Sequence, residues 1–156
     1  MKKIILIALL LLSSQAQAEE ISDALKTAMK TFYLKVDNPD ELAISAAAES
    51  DCPITGDELK EMVSGVLIRA RVKPLLGDEL SENSLYMETT LRCLETDGNP
   101  IFAIEVIFGG FTEGVPVWYP IPYRYMGMGR EEWIVSNIKN VVELAITDYI
   151  AANLDL

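Results

Sequence analysis

Any chemistry in this chain has to run without an imidazole, because none of its 156 residues is histidine. That removes Ser-His and Cys-His nucleophilic pairs, the commonest general base, and most zinc and copper sites. Lysine, carboxylates, tyrosine or a metal held by oxygen alone remain. Ser136-Asn-Ile-Lys139 has the Ser-x-x-Lys spacing of acyl-transfer serine enzymes. On a helix, however, Ser136 lies about 200° from Ile134 and Lys139 shares its outward side, so both face solvent. The companion motifs Ser-Asp-Asn and Lys-Thr-Gly are absent.

The carboxylates are numerous but poorly arranged for a site. Asp37-Asn-Pro-Asp-Glu41 lacks the glycine and terminal glutamate of a calcium loop and reads as a turn before the next element. Glu88, Thr90 and Glu105 are neighbours on one strand face, but a flat surface neither excludes water nor raises a carboxylate pKa. Gly127-Met-Gly129 precedes a helix, where backbone N–H groups hold anions, yet Glu131 and Glu132 already occupy the positive end of that helix. The sequence specifies no cofactor, no metal and no catalytic residue.

Two groups of residues suit binding better. Arg69, Arg71 and Lys73 alternate with Ile68, Ala70 and Val72, which places a basic row on one strand face. Such a row pairs with outward carboxylates such as Glu88 or docks an anion or an acidic partner. Trp118, Tyr119, Tyr123 and Tyr125 lie in a 21-residue stretch from Gly109 to Gly129 rich in glycine, proline and aromatics. Long connections of this kind are often functional, and these side chains offer apolar and hydrogen-bonding surface to a protein, a peptide or a glycan.

The elements that position these residues follow from periodicity. Leu85–Glu95 and Pro100–Phe108 alternate around Asp97-Gly98, the pattern of a β-hairpin with a two-residue turn. The implied register sets Cys93 opposite Phe102, Leu91 opposite Ile104, Thr89 opposite Val106 and Met87 opposite Phe108, making one face nearly all apolar. The other face carries Tyr86, Glu88, Thr90, Arg92 and Glu105.

A helix is expected from Glu19 to about Val36, broken by Asp37-Asn38-Pro39-Asp40. Glu41–Ser50 reads as a short helix on its alanines, although Leu42, Ile44, Ala46 and Ala48 also alternate as in a strand. Thr55-Gly-Asp-Glu58 is a capping box, opening a helix from Gly56 to about Val66. A strand from Ile68 to Lys73 follows, stopped by Pro74, then a polar connection from Leu75 to Asn83. One short edge strand is expected near Val115–Tyr119. The longest helix runs from Arg130 to about Ala152, its apolar stripe formed by Ile134, Ile138, Val141, Val142, Ala145 and Tyr149, with Trp133 beside them. The expected fold is a single α+β domain. Its antiparallel sheet has three to four strands, with the long C-terminal helix and the N-terminal helices packed mainly on one face.

Residues 1–18 read as a cleaved secretory signal peptide: Lys2 and Lys3, an apolar run from Ile4 to Leu12, then Ala16-Gln-Ala18. The run is shorter than the ~20 residues that span a bilayer, so no membrane span is expected after its removal. The mature domain is then 19–156, and losing two lysines moves the net charge from −11 to −13. Such acidity opposes nucleic acid and anionic lipid. After export, Cys52 and Cys93 are the only cysteines, and in an oxidising compartment they form one disulfide. The resulting expectation is a small non-catalytic binding or accessory protein of the periplasm or exterior, its partner another envelope or extracellular protein. The alternatives are a carboxylate-based hydrolase and an inhibitor of an extracellular enzyme.

Overall fold

Thr55 donates the first fixed point. Its hydroxyl accepts from Glu58 N at 3.3 Å and its own N–H donates to the Glu58 carboxylate at 2.8 Å, completing the capping box and starting helix α2, Gly56–Arg69. The computed structural model describes residues 25–76, 85–112 and 115–154, and the expected signal peptide lies outside them. Helix α1 occupies residues 25–34, its expected start at Glu19 also falling outside. The strands are β1 (Glu41–Ala48), β2 (Lys73–Leu76), β3 (Tyr86–Leu94), β4 (Ile101–Thr112), β5 (Val115–Trp118) and β6 (Tyr123–Met128), and helix α3 is Glu131–Asn153.

They form one six-stranded mixed sheet in the order β2-β1-β3-β4-β5, with β6 also on β4. The hairpin register is the expected one, with Cys93 on Phe102, Leu91 on Ile104, Thr89 on Val106 and Met87 on Phe108. Its turn differs. The ladder ends at Leu94–Ile101, and the Thr96 hydroxyl closes the tip by donating to Asn99 O at 2.8 Å and accepting from Gly98 N at 3.2 Å. Asp97 does not take the positive φ of a type I′ turn, since Arg71 is the only described non-glycine residue with positive φ.

The antiparallel sheet of three to four strands is corrected to a mixed one of six because Glu41–Ala48 is a strand, not a helix, and Tyr123–Met128 adds β6. β1 pairs parallel to both β2 and β3, from Glu41 on Lys73 to Ala48 on Leu91. α2 makes the crossover between β1 and β2, as a parallel pair requires. α2 also runs one turn past Val66. It closes in a Schellman arrangement, in which Val72 N donates to Leu67 O at 2.9 Å and Arg71 N to Ile68 O at 3.0 Å. The strand expected from Ile68 to Lys73 is therefore a helix end, a turn and the first residue of β2. Pro74 lies inside β2, tolerated because β2 is an edge.

All three helices cover one face. Leu42, Ile44, Met87, Leu91, Phe102, Ile104, Val106 and Phe108 meet Leu59, Val63 and Leu67 of α2, Leu34 of α1 and the α3 stripe in one core. The α3 stripe is as expected, except that Trp133 is half exposed. Cys52 before α2 is disulfide-bonded to Cys93 on β3, with Cα atoms 5.1 Å apart. No described helix is long and apolar enough to cross a membrane.

Candidate functional site

The stretch from Gly109 to Gly129 is largely sheet rather than a long connection. β4 continues to Thr112, β5 pairs with its far end, and β6 pairs with its near half, from Val106 on Tyr123 to Ile101 on Met128. This splits the four candidate aromatics between the two faces. Trp118 lies on the face opposite the helices, edge-on to Tyr86 with ring centroids 4.9 Å apart, above Gly109. A Cβ on Gly109 would come within 2.7 Å of the Tyr86 ring and 2.8 Å of Val117 O, so only glycine allows this approach. Tyr119, Tyr123 and Tyr125 face the helices. Tyr125 stacks on Phe102 at 5.9 Å.

Tyr119 and Tyr123 join the best-organised polar cluster of the described residues. Alternation along β6 turns Tyr123 toward α3, where its hydroxyl donates to Asp148 Oδ2 at 2.7 Å. The ammonium of Lys30 on α1 donates to the same oxygen at 2.6 Å and lies 5.1 Å from the Tyr123 ring centroid. One turn further along α1, Tyr33 stacks on Tyr119 at 4.7 Å. Asn153 ties down the chain after α1, donating to Leu34 O and accepting from Val36 N, each at 2.8 Å. The space left between Lys30, Tyr33, Phe108, Tyr119 and Tyr123 is about 10 Å³, room for at most one water. The cluster is a packed joint between α1, β6 and α3.

Its electrostatics point the same way. Burial, the hydrogen bond to Asp148 and its negative charge hold the Tyr123 phenol far above its ordinary range. Burial with Tyr33 nearby raises Tyr119, and burial with Glu88 raises Tyr86. The backbone and hydroxyl hydrogen bonds of Thr55 lower Glu58. Each of these groups is moved away from neutrality, where a general acid or base would need it.

The expected row of Arg69, Arg71 and Lys73 on one strand face does not form. Arg69 ends α2 and reaches Glu143 on α3 at 3.7 Å, Arg71 sits in the turn at φ 63°, and Lys73 on β2 pairs with Glu41 at 2.9 Å. Helical and extended residues do not share a face by alternation. Ser136 and Lys139 are exposed on α3, as their spacing implies. Lys139 borders an open groove of about 420 Å³ between α2 and α3, floored by Ile54, Met62 and Val135 and edged by Glu58, Glu61 and Arg69. Glu105 accepts from Nε and Nη2 of Arg124, at 2.9 and 3.3 Å, and Glu88 accepts from Thr90 at 3.4 Å. Among the described residues no set of three carboxylates or cysteines is placed to hold a metal.

Sequence reasoning missed Lys30, Tyr33 and Asp148. Lys30 and Asp148 are 118 residues apart, and neither stands in a recognisable motif.

Apolar side chains concentrate at the sheet margin. On β5, Val115, Val117 and Trp118 are 61%, 41% and 43% exposed. Beside β4, Met126 and Met128 of β6 point outward and are exposed as well.

No protein-family model matches this chain, and no curated protein does. Among solved structures it is similar to the PelC dodecamer from Paraburkholderia phytofirmans at 12% identity, covering 73% of this chain and 91% of that one, with a TM-score of 0.49. It is also similar to a minor lipoprotein from Acinetobacter baumannii at 12% identity, covering 72% and 92%, with a TM-score of 0.36. Likeness at this level does not bear on what the chain does.

Proposed function

We propose that this is an exported, non-catalytic binding or accessory protein of the periplasm or exterior, which contacts another envelope or extracellular protein through the β5 margin of its sheet. The observation that carries the reading is the run of exposed Val115, Val117 and Trp118 on a four-residue edge strand. Exposed apolar groups in sequence on one edge cost solubility and mark contact surfaces. Trp118 is a rigid amphipathic anchor of the kind that dominates such contacts.

Export is supported by the signal-like N-terminus and by a disulfide, which persists only in an oxidising compartment. The absence of catalysis is supported by the packed Lys30–Asp148–Tyr123 cluster and by Glu105, which is engaged by Arg124 on the sheet surface. The described residues of the proline-rich segment are tied into the sheet as β5 and β6, whereas an inhibitor is expected to present a protruding loop.

The test is capture from an extract of the source cell envelope by the mature chain, beside Trp118→Ser. Trp118 is part-exposed, so the variant should keep the far-UV circular dichroism of the parent. A band retained by the parent and lost from this folded variant is expected. A band retained equally by both would refute the surface, and no band at all would refute the reading.

A further inference from the structure

The edges of the sheet are not built alike. Along a β ladder, successive residues turn their N–H and C=O alternately toward the paired strand and away from it. Gly129 N donates to Pro100 O at 3.2 Å, which fixes the phase of β6. Tyr123, Tyr125 and Gly127 bond to β4, while Arg124, Met126 and Met128 turn both groups outward. By the same alternation, Tyr119 N on Phe108 O turns Pro116 and Trp118 of β5 outward, and Lys73 N on Asp40 O turns Pro74 and Leu76 of β2 outward.

A proline therefore stands at an outward position on β2 and on β5, where its missing N–H blunts the edge against further pairing. β6 has no such residue. Its outward N–H and C=O groups at Arg124, Met126 and Met128 have no partner among the described residues. Exposed apolar side chains border this edge from both faces. Met126 and Met128, 75% and 60% exposed, lie on one face. On the other, Trp133 (52%) lies over Gly129, and Leu144 (62%) stands one turn before Asp148, which bonds Tyr123 of β6. The charged groups beside the strand are already matched, Arg124 to Glu105 and Lys30 to Asp148.

We infer that β6 accepts an uncharged, apolar segment of another protein as an added strand. Only an extended chain offers donors and acceptors at the two-residue repeat of ~6.8 Å at which Arg124, Met126 and Met128 present theirs. Its side chains alternate between the methionine pair on one face and Trp133 and Leu144 on the other, so both of its faces are apolar. Charge would find no unpaired counter-ion there. A second copy fits less well, since each brings a net charge of −11 and its own β6 carries Arg124. The addition uses backbone groups of β6 and does not rest on the side-chain contact at the β5 margin.

The probe is the peptide acetyl-Ser-Val-Ile-Val-Ile-Ser-amide, added to the mature chain and followed by amide hydrogen exchange. In the free protein the Arg124, Met126 and Met128 amides should exchange fast, and those of Tyr123, Tyr125 and Gly127 slowly. Saturating peptide should slow the three fast amides roughly tenfold or more. Met126→Pro removes one outward N–H and no bond to β4, so it should keep the circular dichroism of the parent and bind the peptide roughly tenfold more weakly. Trp118→Ser should bind it as the parent does, which separates this edge from the β5 contact. The same peptide N-methylated at every residue keeps its side chains, cannot donate, and should not bind. Absence of protection in the parent would overturn the inference whether or not the proline variant folds, as would binding of the methylated peptide or a folded Met126→Pro that binds like the parent. Sedimentation equilibrium showing a dimer that Met126→Pro abolishes would also overturn it, by making a second copy the occupant.

Discussion

Tyr149 shows how far a single side chain can tie the layers together. It is buried on α3, stacks on Phe108, and its hydroxyl lies 3.0 Å from Pro39 O and 3.2 Å from Glu41 O, the entry to β1. Burial, with the charge of Asp40 adding, pushes its pKa from 10.0 up to about 12. A folded pKa above the unfolded one means that the native state holds the proton more tightly. The associated stability is complete below pH 10 and is lost as pH rises toward 12. Urea unfolding at pH 9 and pH 11 should show a decline, of up to roughly 1 kcal/mol per pH unit from this group. Tyr149→Phe should start less stable and decline less steeply; an unchanged slope would exclude Tyr149 as its source. The Lys30–Asp148 pair contributes differently. Both side chains remain 33% exposed, so its energy is about 1 kcal/mol or less, and its role is to fix α1 against α3.

Among the elements, the hairpin was legible because a period of two with Cys93, Leu91, Thr89 and Met87 on one side admits a single register. The α2 start and the α3 stripe were legible for similar reasons, through a capping box and a repeat at helical spacing. β1 was not. Its alanines favour a helix in isolation, and the parallel neighbours β2 and β3 override that preference. The Ile68–Lys73 alternation misled because no glycine marks the end of α2. Arg71 occupies the left-handed position that glycine normally fills, at φ 63°. Arg71→Gly should therefore stabilise the protein by about 0.5–1 kcal/mol in thermal unfolding, and a loss of stability would show that the arginine makes an unrecognised compensating contact. β6 was hidden by the surrounding prolines and glycines. The candidate cluster was hidden by distance along the chain.

For the molecule as a whole, the helix layer closes the core on one face of the sheet, while the opposite face carries the ion pairs Glu41–Lys73, Glu49–Arg92 and Glu105–Arg124. The disulfide adds a further constraint, since Cys52 and Cys93 are 41 residues apart. The bond joins the points where β1 leaves the sheet and β3 runs alongside it. Replacing both cysteines with serine should lower stability by roughly 4 kcal/mol, read from urea unfolding. Parallel pairing of β1 and β3 demands that residues some forty apart find one another, the slowest kind of contact for an unfolded chain. The oxidised chain has that loop closed before it folds. The serine variant should thus lose chiefly on the refolding arm of a stopped-flow chevron, with its unfolding arm nearly intact, and the reverse partition would place β1–β3 docking after the rate-limiting step. Oxidation then acts as a timer: a reduced copy folds slowly until its thiols join, and quickly afterwards.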